Sequence, residues 1–90
     1  MADNVYQLDK TRATWLEVEG EVVVLGTDNT VYMGVNGSGT QLWPLLVAGS
    51  SREQLVDKLT ATYGIATEVA ARDVAVFLEA LQTRGLLTSA

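Results

Sequence analysis

Three short apolar runs, rich in β-branched residues, dominate the first third of the chain. The first two occupy residues 14–18 and 21–25 and are separated by Glu19 and Gly20. Because glycine readily adopts the positive φ of a tight primed turn, these runs predict a β-hairpin. A turn cluster at residues 26–29 leads into a third run at residues 30–35. The pattern therefore predicts a three-stranded antiparallel meander.

Alternation along the predicted strands sorts their side chains onto two faces. One face is expected to hold Trp15, Val22, Val24, Val31 and Met33. The other face is expected to hold Leu16, Val18, Val23, Leu25 and Tyr32. Both faces are apolar, although a small sheet usually needs only one covered side. Two interpretations stay open: a partner contacts the second face, or the N-terminal residues Val5, Tyr6 and Leu8 fold back over it.

After residue 36 the apolar period becomes helical and predicts three helices. The first covers residues 40–47 and should be short or kinked at Pro44. Ser50 and Glu53 have the spacing of a capping box, which would open a second helix ending near Tyr63, before Gly64.

Thr67 is expected to cap a third helix at residues 68–84, closed by Gly85. Leu86 and Leu87 are expected to dock the tail on the core. The predicted fold class is α+β, a three-stranded antiparallel meander followed by three helices in a winged-helix-turn-helix-like arrangement. Residues 1–13 are expected to be a flexible N-terminal lead-in, and residues 14–88 a single domain.

The third predicted helix stays apolar beyond the face that would meet a core. Its core side comprises Ala70, Val74, Phe77, Leu78 and Leu81. An adjacent stripe comprises Val69, Val76 and Ala80, with Asp73 among them. One interpretation is a groove wall with a polar contact for a partner. The alternative is a wide core face with Asp73 exposed at its edge.

The third predicted strand has an undefended edge. A meander leaves one side of its last strand unpaired, and residues 30–35 carry no lysine or proline to block pairing. This strand could therefore accept an extended peptide as an added strand. The alternative is that the edge is too short to matter, or that the N-terminal tail covers it.

Composition narrows the possible functions of this 90-residue chain. It has no cysteine and no histidine, which removes the commonest nucleophiles, general bases and metal ligands, so neither an enzyme nor a cofactor or metal is expected. Its net charge of −5 disfavours nucleic acid as a partner. The first residues lack the apolar region of a signal peptide, and no segment reaches transmembrane length, so we expect a cytoplasmic protein without a membrane partner.

A winged-helix fold also suggests a DNA-binding protein, in which the last helix would enter the major groove. That helix carries Glu68, Asp73 and Glu79 against Arg72 and Arg84, so its net charge is negative. The architecture can therefore be winged-helix-like without DNA binding.

The order of turn and core residues resembles the PqqD-like family, the precursor-peptide recognition elements of ribosomal peptide natural-product pathways. The resemblance covers most of the chain, from about Trp15 to Leu87, and departs from many members at Gly34. Its matching positions are Asp28, Tyr32, Asn36, Gly39, Leu42, Trp43, Leu45, Leu46, Gly49, Leu55, Leu59, Tyr63, Asp73, Val74, Phe77, Leu78, Leu81, Gly85, Leu86 and Leu87.

The resemblance implies a non-catalytic adapter. Family members bind the leader segment of a precursor peptide as an added strand on their third strand, packed against the third helix, and present it to a processing enzyme. The chain ends soon after the domain, which implies a free-standing element of the kind found in lasso-peptide pathways. The implied partners there are a leader peptidase and an ATP-dependent cyclase. The alternative is the same role beside a radical enzyme in cofactor biosynthesis.

The predicted peptide-binding residues lie on the third strand, with the turn before it, and on the third helix. On the strand side they are Asp28, Asn29, Thr30, Val31, Tyr32 and Met33, and the face that meets the ligand stays open. On the helix side they are Val69, Arg72, Asp73, Val76, Phe77 and Ala80. Asp73, with Arg72 as a secondary candidate, is expected to fix the register of the peptide by a polar contact.

Overall fold

The computed structural model describes residues 5–26, 30–35 and 37–89. Nine elements follow one another along this part of the chain. In order they are β1 (Val5–Leu8), β2 (Ala13–Val18), β3 (Glu21–Gly26), β4 (Val31–Val35), α1 (Ser38–Ala48), β5 (Ser50–Ser51), α2 (Arg52–Tyr63), α3 (Thr67–Thr83) and β6 (Leu87–Ser89).

The meander forms as predicted, with β2, β3 and β4 as antiparallel neighbours in that order. Glu19 and Gly20 connect the first two strands with positive φ angles of 52° and 80°. Two successive residues with positive φ are the signature of a type I′ turn, whose twist matches that of the flanking strands. Three helices follow the meander. The predicted α+β class and winged-helix-like order are therefore confirmed.

A β-bulge changes which face two residues of β4 occupy. Met33 lies opposite Val24, but the next pair joins Val31 to Leu25, so Tyr32 has no opposite residue on β3. The predicted assignment of these faces is wrong here, because one extra residue in a strand reverses the alternation beyond it. Val31 lies on the outer face with its partner Leu25.

The ring of Tyr32 correspondingly packs on the inner face of the sheet, against Gly26. A Cβ atom built on Gly26 would lie 2.6 Å from the Tyr32 Cζ atom, so any other residue at this position would require the end of the Tyr32 ring to shift. Gly26 lies opposite Ala13, and both are buried.

The core lies between the inner face of the meander and the three helices. Val24, Leu46, Leu59, Val74 and Leu86 are fully buried, and the last of these confirms the predicted docking of the tail. Trp15 of β2 packs edge-to-face on Trp43 of α1, with ring centroids 5.6 Å apart. This aromatic contact joins the first strand of the meander to the first helix.

A second small sheet, with strand order β5–β1–β6, was not predicted. The expected flexible lead-in at residues 1–13 instead includes β1, which ends at Leu8, only 4% exposed. The backbone N–H of Asp9 donates to the carbonyl of Leu86 over 2.8 Å, which ties the two ends of the described chain together. Ala13 already belongs to β2, so the expected boundary between residues 13 and 14 is not an element boundary.

The position of β1 also excludes the interpretation in which the N-terminal residues cover the meander. Val5, Tyr6 and Leu8 belong to the second sheet, and Leu16 and Val18 on the outer face stay 56% and 50% exposed. Nor does β1 cover the edge of β4, since it pairs with β5 and β6.

The helix starts differ from prediction in detail. The capping box of α2 is formed by Ser51 and Gln54, one residue later than Ser50 and Glu53, because Ser50 is buried in β5 opposite Tyr6. Thr67 is the first residue of α3 and not its cap. The N-cap position is occupied by Ala66, whose side chain makes no capping hydrogen bond. Gly64 ends α2 in the left-handed conformation, as predicted.

Candidate functional site

A cavity of about 410 Å³ lies between β4 and α3 and is closed at one end by the start of α1. We call it the groove. Its walls come from three consecutive residues of β4, two of α1 and five of α3. They are Met33, Gly34, Val35, Ser38, Gly39, Arg72, Asp73, Val76, Phe77 and Ala80.

The α3 wall is a stripe separate from the face of α3 that forms the core. Ala70, Val74, Leu78 and Leu81 are buried, and they repeat at helical spacing along that core face. Val76, in contrast, is 64% exposed, and Phe77 is half-buried at the border between the two faces. The helix therefore presents apolar surface in two directions, to the core and to the groove.

The strand wall is the edge of a sheet. β4 pairs with β3 on one side and with no other strand among the residues that the structure describes. Gly34 lies in the open part of this wall, since a Cβ atom there would meet no atom within 4 Å. Backbone donors and acceptors on such an edge can pair with a further strand.

Gly39 sets the closed end of the groove. A Cβ atom at this position would lie 2.7 Å from Val35 Cγ1 and 3.1 Å from Phe77 Cε1. The absence of a side chain at Gly39 thus allows α1 to begin in direct contact with both walls.

Two charged side chains of opposite sign line the groove. Arg72 and Asp73 are neighbours on α3, and both are exposed. In the described part of the chain, no ion pair involves either of them. They are accordingly available to contact a ligand in the groove.

The structure brings together six of the predicted site residues. They are Met33, Arg72, Asp73, Val76, Phe77 and Ala80. Three others on or before β4 lie beside the groove without lining it, namely Thr30, Val31 and Tyr32. The carbonyl of Thr30 accepts a hydrogen bond from the Gly26 N–H over 2.7 Å, which holds the residue to β3.

Val69, 44% exposed, lies one helical turn before Arg72 and Asp73 and outside the groove lining. Asp28 and Asn29 lie outside the described residues.

Sequence reasoning missed four lining residues: Gly34, Val35, Ser38 and Gly39. Alternation from Met33 would have placed Val35 on the same face. The two α1 residues follow a strand directly, which was a signal that the helix start would lie beside that strand.

No group of three or more acidic, histidine or cysteine side chains in residues 5–26, 30–35 and 37–89 could hold a metal ion. Within the same ranges, no helix combines the length and apolar character needed to cross a membrane.

Comparison with known proteins bears directly on this groove. The chain matches the family model described as coenzyme PQQ synthesis protein D (PqqD) over residues 21–87, a span that contains both walls. No curated protein sequence matches it. Among solved structures it is similar to TbiB1 in complex with the TbiA(beta) leader peptide, with a TM-score of 0.78 and 29% sequence identity. That similarity covers 90% of this chain and 93% of the TbiB1 chain.

Proposed function

The chain belongs to the PqqD family, and on that premise we propose that it is an adapter that binds the leader segment of a ribosomally made precursor peptide in the groove. The observation that carries the proposal is the open edge of β4 facing the second apolar stripe of α3. The similarity to TbiB1, whose structure contains a leader peptide, supports this occupant.

The binding mode is addition of the leader as a strand on β4. Each backbone hydrogen bond adds only about 0.5–1.5 kcal/mol net, so side chains must supply the specificity. Val76 and Phe77 offer apolar contacts on α3. The leader would be held between strand edge and helix, with its backbone on β4 and alternate side chains against α3.

Asp73 and Arg72 would set the register of the leader. A backbone ladder tolerates slippage because its hydrogen bonds repeat along the strand. A carboxylate or guanidinium that must find its partner penalises every register in which it does not. We expect Asp73→Asn to reduce discrimination between a leader and a variant leader in which the residue that contacts Asp73 is moved by two positions. Discrimination is measured as the ratio of the two affinities. An unchanged ratio in a folded variant would show that Asp73 is only a surface residue.

Presentation to processing enzymes completes the proposal. In a lasso-peptide pathway, which the resemblance implies, a leader peptidase would act on the bound precursor, with a cyclase as a further partner. The chain itself would carry out no reaction and use no cofactor, and it would act in the cytoplasm, where precursors are synthesised. The family description favours one alternative, the same adapter role beside a radical enzyme in cofactor biosynthesis.

Calorimetric titration of the chain with synthetic leader peptides tests the proposal. A lasso precursor leader, the precursor of the cofactor pathway and a scrambled version of each form the panel, and the leader that binds identifies the pathway. Equal affinity for a leader and its scrambled version would refute the proposal. Duplex DNA serves as a further ligand; binding that weakens steeply with salt would indicate a DNA-binding protein instead.

A further inference from the structure

Gly34 leaves an empty position on the outer face of the meander, at its open edge. It lies opposite Val23, which in turn lies opposite Leu16, so these three residues form one row across the sheet. A Cβ atom on Gly34 would meet no atom of the described residues within 4 Å. Val23 bounds this space across the strands, and Val31 bounds it along β4. We call the space the notch.

Neither the backbone nor the packing of the described chain requires glycine at this position. The φ of Gly34 is not positive, so the strand conformation there is one that other residues adopt readily. A side chain would also meet no obstacle. Glycine inside a strand weakens the strand, and it often marks a place where a ligand approaches closely. The room above Gly34 is therefore a candidate for the side chain of a ligand.

A leader added to β4 brings one side chain to the notch. Residues opposite each other on neighbouring strands have their side chains on the same face of the sheet, whether the strands are parallel or antiparallel. The leader residue opposite Gly34 therefore directs its side chain to the outer face, and its two neighbours in the leader point toward α3. The notch is thus continuous with the groove. This step rests on the proposed function.

The distance to β3 determines which side chain suits the notch. With strands about 4.8 Å apart, a leader on β4 would lie roughly 9.6 Å from β3. A short aliphatic side chain would end above Gly34, where it finds no Cβ atom to contact. An aromatic ring is long enough to lie across the glycine and contact Val23. Val31 is 63% exposed and Val23 is half-buried, so both still have apolar area to bury.

We propose that the notch is a specificity pocket for an aromatic side chain of the leader, on the residue that lies opposite Gly34. An aromatic residue that covers an edge glycine also pins the register of the two strands. The leader is accordingly recognised on both faces of the sheet, by apolar side chains against α3 and by one ring on the outer face.

Selection of random twelve-residue peptides displayed on phage tests this proposal. One selection uses the unmodified full chain, and a second uses Gly34→Val, in which a side chain fills the notch. We expect the first pool to be enriched in Phe, Tyr or Trp at one position of the aligned peptides. The second pool should lose this preference and keep the apolar residues on either side of it, which face α3. Gly34→Val should fold with a raised Tm, because valine favours strands and the site has room.

Calorimetry on one peptide selected by the unmodified chain measures the contact. Replacing its enriched aromatic residue with alanine should weaken binding to the unmodified chain by about tenfold. The same replacement should weaken binding to Gly34→Val by about twofold or less, because the ring has no notch to enter. Thr14→Val is the matched control, since it places the same side chain on the outer face at the opposite edge of the meander, on β2. This control should retain the tenfold difference.

The outcomes separate this inference from the proposed function. Selected peptides without an aromatic position, or an equal loss in the unmodified chain and in Gly34→Val, would overturn the notch and leave peptide binding in the groove standing. If neither selection enriches any peptide, strand addition on β4 fails, and the notch fails with it.

Discussion

Removing two methyl groups from the groove wall gives a direct measure of how much α3 contributes to leader binding. Val76 is 64% exposed in the free protein, so most of its side chain has contact area still to bury. Two fully buried carbon groups stabilise a complex by roughly 1.6 kcal/mol at about 0.8 kcal/mol each. Scaled by the exposed fraction, Val76→Ala should weaken the leader by about 1 kcal/mol, or about fivefold in Kd.

The same substitution should leave the fold nearly unaffected. The third of the Val76 side chain that is already buried corresponds to about 0.5 kcal/mol of folding stability. The higher helix propensity of alanine offsets a similar amount. We therefore expect Tm to change by no more than about 2–4 °C, which keeps the variant folded at 25 °C.

Calorimetric titration with one leader peptide checks this prediction. Val18→Ala is the matched control, because Val18 is similarly exposed but lies on β2, at the opposite edge of the meander. The control should retain the affinity of the unmodified protein. Wild-type affinity in the Val76→Ala variant, or an equal loss in both variants, would mean that α3 does not form a wall of the leader site.

Three other substitutions test local features of the fold by thermal denaturation. Gly34→Ala should raise Tm by about 2–8 °C, because a Cβ atom there meets nothing within 4 Å and glycine weakens a strand by about 0.5–1 kcal/mol; a lower Tm would contradict this. Gly39→Ala should lower Tm, because its Cβ atom would lie 2.7 Å from Val35 Cγ1. Such overpacking costs about 1–3 kcal/mol, which exceeds the gain in helix propensity. An unchanged Tm would show that the side chains at this end of the groove move aside at little cost. The Thr11 hydroxyl and N–H donate to Asp9 and hold its pKa below the usual 3.8. A lowered pKa adds stability above pH 3.8 that is lost as the pH falls through the folded-state pKa, so Asp9→Asn should flatten the decline in Tm below about pH 4.

The elements that could be predicted from the sequence are those with a strong local period. The meander was visible because apolar runs alternate with glycine-containing turns, and α3 because its core residues recur at helical spacing. The second stripe on α3 was visible for the same reason. The strand edge that forms one wall of the groove could be predicted because a meander leaves its last strand unpaired on one side, whatever residues that strand contains.

Features that depend on distant pairing could not be predicted. β1, β5 and β6 have only four, two and three residues, too few to show a period, and they exist because β1 lies between the other two. The bulge beside Leu25 arises from the match between two strands, so neither strand alone signals it. The capping box lies one residue later than predicted because Ser50 pairs with Tyr6 of β1, which is more than forty residues earlier in the chain.

The hairpin turn is where local preference and the observed sequence disagree most clearly. A type I′ turn favours asparagine before glycine, yet Glu19 occupies that position with a φ of 52°. A left-handed conformation costs such a residue roughly 1–2 kcal/mol. The strain at Glu19 is therefore a cost of the turn, and the six-residue pairing of β2 with β3 on either side of it outweighs that cost.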